Sequence, residues 1–198
     1  MLTGKQIVDE VKKGRILIEP FDEKNVGPNS FDVTLNPTII TYKKCEIVEK
    51  DDGRKHLVPL NDNNLVLDPA KENKTYSYTI PEEGLVIPTD ILILGSTNEK
   101  AGSDYFIPMY EGRSSMARLG IQSHISAGFG DVGFKSNWTL EIITVHNVVL
   151  YPNMRIGQVY FHEIEMENEI SALTKYNGKY INQEEAQHSL SYLDFQNN

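Results

Sequence analysis

The sequence predicts a mainly β fold in a single domain over residues 1–198, and three observations carry that prediction. Apolar and polar residues alternate with period two along several short runs, and Pro, Gly, Asn or Asp bound each run. No strand pattern alternates with helices as a parallel sheet would require. The 198 residues, 39% hydrophobic and 24% charged, are enough for a real core and fit one domain. Many short strands with polar turns imply a sandwich or a barrel.

The chain opens on the one clear helix. Thr3 and Gln6 have capping-box spacing, Ile7, Val8 and Val11 share a face, and Gly14 is placed to end the element. Ser30 to Ile40 then reads as a strand, with Phe31, Val33 and Leu35 alternating against Asp32, Thr34 and Asn36. Cys45 to Val48 and His56 to Leu60 flank a turn at Asp52-Gly53. Further strands are expected over Thr75 to Ile80, Ile91 to Leu94, Trp138 to His146 and Gln158 to Ile164. Ser114 to Leu119 breaks the β pattern and reads as a short helix entered through a serine cap. From about residue 170 to 198 the chain turns polar, with Tyr, Asn, Gln, Lys and Glu and few aliphatics, as an arm or lid would.

Bulk properties narrow the partners. A formal net charge of -9 repels a nucleic-acid backbone, and no basic stretch offsets it, so a nucleic-acid polymer is not expected as a partner. A small anion needs only a few local donors. With Cys45 as the single cysteine, neither an intramolecular disulfide nor a multi-cysteine metal site can form, which fits a reducing, cytoplasmic setting. No run approaches twenty apolar residues, so neither a membrane span nor a signal peptide is expected.

Four local patterns bear on chemistry. Gly128-Phe129-Gly130-Asp131-Val132-Gly133 spells G-x-G-x-x-G, yet FKSNWTLEIITV follows it, rich in β-branched and aromatic residues, so these glycines read as turn formers and not as a dinucleotide fingerprint. In GRSSMARLG, two of the five arginines flank two serines at a helix start; this is either a phosphate site or a capped surface helix with solvated arginines. Glu141 lies in WTLEIITV, where alternation puts Thr139, Glu141, Ile143 and Val145 on one face and Trp138, Leu140, Ile142 and Thr144 on the other. Such an acid is either a guard on an edge strand or, if buried with a raised pKa, a group that takes and gives protons near neutral pH. Asp131, ten residues earlier, is an ordinary turn aspartate unless it faces Glu141 across a hairpin. The H-x-E and P-C-x-x-C pairing of zinc deaminases is missing, and the five histidines have no metal-ligand spacing, so no zinc is expected.

In order along the chain, GRSSMARLG, SHISAGFGDVGF, TLEI, NMRIGQVYF and YNGKYINQ resemble the dCTP deaminase branch of the trimeric dUTPase-like family. The resemblance extends weakly to the first helix and to GPNSFDVTL and leaves about residues 43–74 unmatched. It implies a distorted jelly-roll β-barrel with a short N-terminal helix and a C-terminal arm, assembled as a homotrimer with active sites between subunits. It implies that Arg113, Ser114 and Ser115 hold phosphates or order the catalytic water, and that Arg118 supports the catalytic carboxylate, Glu141. The Ala127 backbone would read the pyrimidine edge, Phe134 would pack on the deoxyribose, and Tyr176, Lys179 and Gln183 would grip the triphosphate.

The implied reaction is hydrolytic deamination of dCTP to dUTP and ammonia in pyrimidine deoxynucleotide synthesis, with no metal at the reacting carbon and Mg2+ carried by the triphosphate. AGF-x-D-x-GF resembles the wording of members that also cleave dUTP to dUMP and pyrophosphate, which would make Asp131 the activator of a second water. A monofunctional deaminase and a catalytically altered nucleotide-binding regulator are the alternatives, and a ligand-free all-β trimer is a third class. dTTP stands as a candidate inhibitor. Three positions depart from the family pattern: Gly130 where an aliphatic residue is usual, Ser136-Asn137-Trp138 in place of a small turn, and Glu184-Glu185 where a glycine usually follows the tail glutamine.

Overall fold

The computed structural model describes residues 1–60, 64–165 and 175–196. Helix α1 (Gly4–Lys12) starts as its sequence dictates. The Gln6 N–H donates to the Thr3 hydroxyl at 3.3 Å, and the Thr3 N–H donates to Gln6 Oε1 at 2.8 Å. Ile7 is fully buried and Gly14, with φ of 70°, lies just past the Lys13 cap.

Thirteen strands follow among the described residues, in three sheets. The largest contains β1 (Ile16–Glu19), β3 (Thr38–Thr41), β6 (Tyr76–Thr79), β8 (Ile93–Ser103), β10 (Ile121–Gln122) and β11 (Lys135–Thr144). Its order is β10-β11-β8-β3-β6, with β1 pairing antiparallel to the far half of β8. A second sheet runs β12-β7-β5-β4, from β4 (Cys45–Glu49), β5 (Lys55–Pro59), β7 (Leu85–Ile87) and β12 (Val148–Leu150). The third places β13 (Arg155–His162) between β2 (Phe31–Thr34) and β9 (Ile107–Gly112). Phe31, Val33, Leu35, Ile39, Ile93, Leu140, Ile142, Val159 and Phe161 are fully buried where these sheets face one another. Each such side chain stabilises the fold by roughly 1.5–3 kcal/mol.

The alternation over Phe31 to Asn36 is as expected, but Ser30 to Ile40 is two strands. Pro37 cannot donate to a ladder, and Asn36 Oδ1 accepts the Thr38 N–H at 2.9 Å, so the chain turns there and passes from the third sheet to the first. Ile91 to Leu94 grows into the eleven-residue β8. Its polar half finds partners beyond its own sheet: Glu99 accepts the N–H and hydroxyl of Thr34 on β2 at 2.8 and 2.9 Å, and Ser103 Oγ donates to Arg15 O at 2.5 Å. Burial holds the Glu99 carboxyl above its ordinary range, with the Thr34 bonds opposing. The serine cap is corrected: α2 (Ser114–Ala117) is capped by Arg113, whose side chain makes no capping bond. β1, β7, β9, β10 and β12, most of them two to four residues long, carry too little periodicity to be read from sequence.

No helix among the described residues is long and apolar enough to cross a membrane. The expected arm is described over 175–196, ending in α3 (Leu193–Gln196), and runs across the first sheet; 170–174 and 197–198 lie outside the described residues.

Candidate active site

Strand β11 organises the site because it serves two faces. Leu140 and Ile142 point into the core, while Thr139 and Glu141 line a cavity of ≈ 420 Å³. That volume suits a small-molecule ligand. At Trp138 the ladder with β8 is interrupted: Asn137 pairs with Lys100 and Thr139 with Ser96. Thr97 repairs the break through its side chain, accepting the Trp138 N–H at 2.9 Å, while Asn137 Nδ2 donates to Thr97 O at 2.8 Å. A bulge of this kind re-aims neighbouring side chains. Ser136, Asn137 and Trp138 are thereby buried in succession, and Trp138 joins the cavity wall.

The opposite wall is the loop between β10 and β11. Tyr110 on β9 anchors it twice: its N–H donates to Gly128 O at 2.7 Å and its hydroxyl donates to Ser123 Oγ at 2.7 Å. Burial pushes the Tyr110 hydroxyl far above its ordinary range, so it stays a neutral donor. Gly130 N–H donates to Pro108 O at 2.9 Å and Gly133 N–H to Ser103 O at 2.7 Å. The G-x-G-x-x-G stretch is thus a pinned turn that enters a strand. Within this loop, Ile125 N–H donates to Glu141 Oε2 at 3.2 Å, and Ala127 and Asp131 face the same cavity as Glu141. Glu141 is half-buried, not enclosed.

The arm forms the rim. Tyr176 N–H donates to Val132 O at 2.7 Å, and its ring meets Phe134 edge-on at 5.6 Å. Gly133, with φ of 93°, permits this approach, since a Cβ there would lie 2.8 Å from Lys175 Cβ. Gln183 Nε2 donates to Asn137 O, Gln187 N–H to Thr139 Oγ1 at 3.1 Å, and Ser189 N–H to the Tyr42 hydroxyl at 3.0 Å. Glu184 turns to Lys100, 3.3 Å away.

Of the residues singled out from sequence, Glu141, Asp131, Ala127, Phe134, Tyr176 and Gln183 come together around the cavity. Arg113, Ser114, Ser115, Arg118 and Lys179 do not line it. Arg113 pairs with Asp32 at 3.3 Å, Lys179 pairs with Asp194, and Ser114, Ser115 and Arg118 are exposed on α2 and its cap. Among the described residues no Lys or Arg lines the cavity, so within one chain it presents two carboxylates and no cation. Tyr42, Trp138, Thr139, Tyr180, Gln187 and Ser189 are lining residues that sequence reasoning missed. Trp138, Thr139 and Tyr180 stand within stretches quoted from the sequence, without a site role, and Tyr42, Gln187 and Ser189 left no trace there.

Comparison with known proteins agrees with this architecture. The family described as dCTP deaminase-like matches residues 1–164. The "dCTP deaminase, dUMP-forming" of Hathewaya histolytica is 42% identical over 197 residues, covering 99% of each chain. The protein of that name from Clostridium acetobutylicum is 42% identical over 198 residues, covering 100% of this chain and 99% of its own, and that from Clostridium beijerinckii is 39% identical over 196 residues, with 99% of each covered. Among solved structures, 2'-deoxycytidine 5'-triphosphate deaminase from Agrobacterium tumefaciens superposes with a TM-score of 0.57 at 15% identity, over 81% of this chain. That match spans 46% of the Agrobacterium chain and establishes the shared fold.

Proposed function

Because the chain belongs to the dCTP deaminase-like family, we propose that it hydrolyses dCTP to dUTP and ammonia and then cleaves the bound dUTP to dUMP and pyrophosphate in the same cavity. The observation that carries the reading is the pair of acids, Glu141 on β11 and Asp131 on the pinned turn, opening onto one cavity of ≈ 420 Å³. Relatives that match over the full length and are named dUMP-forming support it.

In the first step Glu141 protonates the ring nitrogen next to the amine-bearing carbon. A water then adds to that carbon, the carboxylate takes one of its protons, the C–N bond breaks as that proton reaches the departing ammonia, and the remaining hydroxyl proton returns to Glu141 as the carbonyl forms. The Ile125 N–H on Glu141 Oε2 leaves Oε1 free for these transfers. Ser114 of a neighbouring copy and the Ala127 backbone are assigned to hold the water. In the second step Asp131 removes a proton from a second water, whose oxygen bonds to the α-phosphorus as pyrophosphate leaves. Phe134, 8% exposed at the cavity floor, would pack on the deoxyribose and disfavour a ribose hydroxyl. Tyr176, Lys179 and Gln183 would hold the triphosphate, with Lys179 exchanging Asp194 for phosphate.

A triphosphate in this cavity needs more positive charge than Lys179 alone brings. We assign the rest to a neighbouring copy in a homotrimer, whose exposed Arg118, Ser114 and Ser115, with Arg113, would complete the site. Magnesium is assigned to the phosphate oxygens, since among the described residues no three His, Cys, Asp or Glu side chains converge on one point.

The test is incubation of the purified protein with dCTP and magnesium, following ammonia, dUTP, dUMP and pyrophosphate separately. Equal amounts of ammonia, dUMP and pyrophosphate are expected. Measurable dCTP binding with no ammonia would sink the enzymatic reading, and free dUTP without pyrophosphate would sink the second step.

A further inference from the structure

Trp138 and Gly130 are fitted to each other. A Cβ on Gly130 would lie 2.7 Å from Trp138 Cη2, 2.9 Å from Pro108 Cγ and 2.9 Å from Pro108 O. Gly130 is not in the left-handed region, so close approach, and not backbone conformation, requires glycine there. The turn is therefore clamped between Pro108, which accepts the Gly130 N–H, and the edge of the indole.

The indole has little freedom to yield. It is 5% exposed, its Nε1 donates to Ala101 O at 3.2 Å, and the Trp138 backbone N–H donates to Thr97 Oγ1. One face stacks on Tyr110 at 6.1 Å and 27°, and Phe134 meets it edge-on at 5.0 Å and 70°. Asp131 directly follows the glycine that rests on this ring, and Glu141 stands three residues beyond the tryptophan on the same strand. The reach of the indole thus fixes how far the loop acid stands from the strand acid.

We propose that Trp138 is a positioning residue: seated beneath Gly130, its indole sets where Asp131 stands relative to Glu141, and so governs cleavage of dUTP after deamination. This rests on the role given to Asp131 above. Deamination depends on Glu141, whose strand is held independently by β8 and β10. Disturbing the contact should therefore separate the two activities.

The experiment compares full-length wild type, Gly130→Ala, Trp138→Phe and the double variant, each checked by thermal unfolding, with dCTP and magnesium as substrate. Misplacement on the ångström scale should lower the dUMP formed per ammonia released roughly 10- to 100-fold in each single variant, so that free dUTP accumulates. The double variant relieves the contact with the indole and leaves those with Pro108, so its loss of dUMP formation should be smaller than the product of the two single losses. Proportional loss of both activities in the single variants, or a double variant whose loss is the product of the two, would overturn the proposal. Should Gly130→Ala fail to fold, Trp138→Phe decides alone: a product mixture shifted to dUTP supports the proposal and an unshifted one overturns it. Wild-type protein that releases dUTP without dUMP removes the role of Asp131 itself, and the proposal with it, before any variant is compared.

Discussion

Replacing Glu141 by Gln isolates proton transfer from everything else this side chain does. Glutamine keeps the size of the side chain and an oxygen to accept the Ile125 N–H, now at 3.2 Å, so the loop that carries Ala127 and Asp131 keeps its anchor. The site is half-buried, so the change in folding stability should stay within about 0.5 kcal/mol. An amide cannot shuttle protons at neutral pH. General acid–base catalysis by one group contributes about 100- to 10,000-fold, and Glu141 is assigned several successive transfers, so kcat for ammonia release should fall by at least about 1,000-fold. That loss corresponds to roughly 4 kcal/mol of barrier. The assay is steady-state ammonia release, with dCTP affinity measured separately by calorimetry and expected to change by less than about threefold. Added dUTP should still be cleaved, since Asp131 is untouched. Ammonia release above about a tenth of wild type, with affinity unchanged, would refute the assignment of Glu141.

Other consequences follow from the same geometry. Gln183→Ala removes the amide bond to Asn137 O and the 3.4 Å contact with Thr139 Oγ1, which should raise KM for dCTP by about tenfold and leave kcat within about threefold in initial-rate measurements. Glu10 on α1 bonds Arg15 and Lys13; the Arg15 bond foremost holds its carboxyl below the ordinary value of 4.5. A lowered folded-state pKa gives stability that is present above the ordinary value and lost as pH falls through the folded one. Glu10→Gln should therefore cost about 1 kcal/mol at pH 7 in urea unfolding, and the gap from wild type should close below pH 4.5. Arg118→Ala and Glu141→Gln chains should each be inactive alone. Co-assembled in equal amounts they should regain roughly a quarter of wild-type sites if each site draws on two protomers, and none if each site is built from one.

How much of this was legible in the sequence depended on the range of the interactions involved. The capping box of α1, the alternation from Phe31 to Leu35 and the two faces of β11 are local, and each is found as read. The polar half of β8 was illegible because Asn98-Glu99-Lys100 looks like a turn until Thr34, Asn137 and β1 supply its partners. The candidate site divides in the same way. Glu141, Asp131 and Phe134 come together because a single strand and its entering turn carry them. Arg118 and Lys179 stand apart because their partners lie elsewhere, on another element of the chain for Lys179 and, in our reading, on a second copy for Arg118. Gly130 and Trp138 were visible only as two separate departures from a family pattern, and in space they are one contact. Glu184, another departure, is occupied by Lys100.

The most direct test of the central claim, that one cavity carries both hydrolyses in succession, is a partitioning measurement. Labelled dCTP is turned over by the wild-type protein in the presence of a large excess of unlabelled dUTP, and the label is followed. If the intermediate passes from Glu141 to Asp131 without leaving the cavity, the label appears in dUMP, undiluted and in step with ammonia. Label collecting in the dUTP pool while ammonia is released would contradict the account.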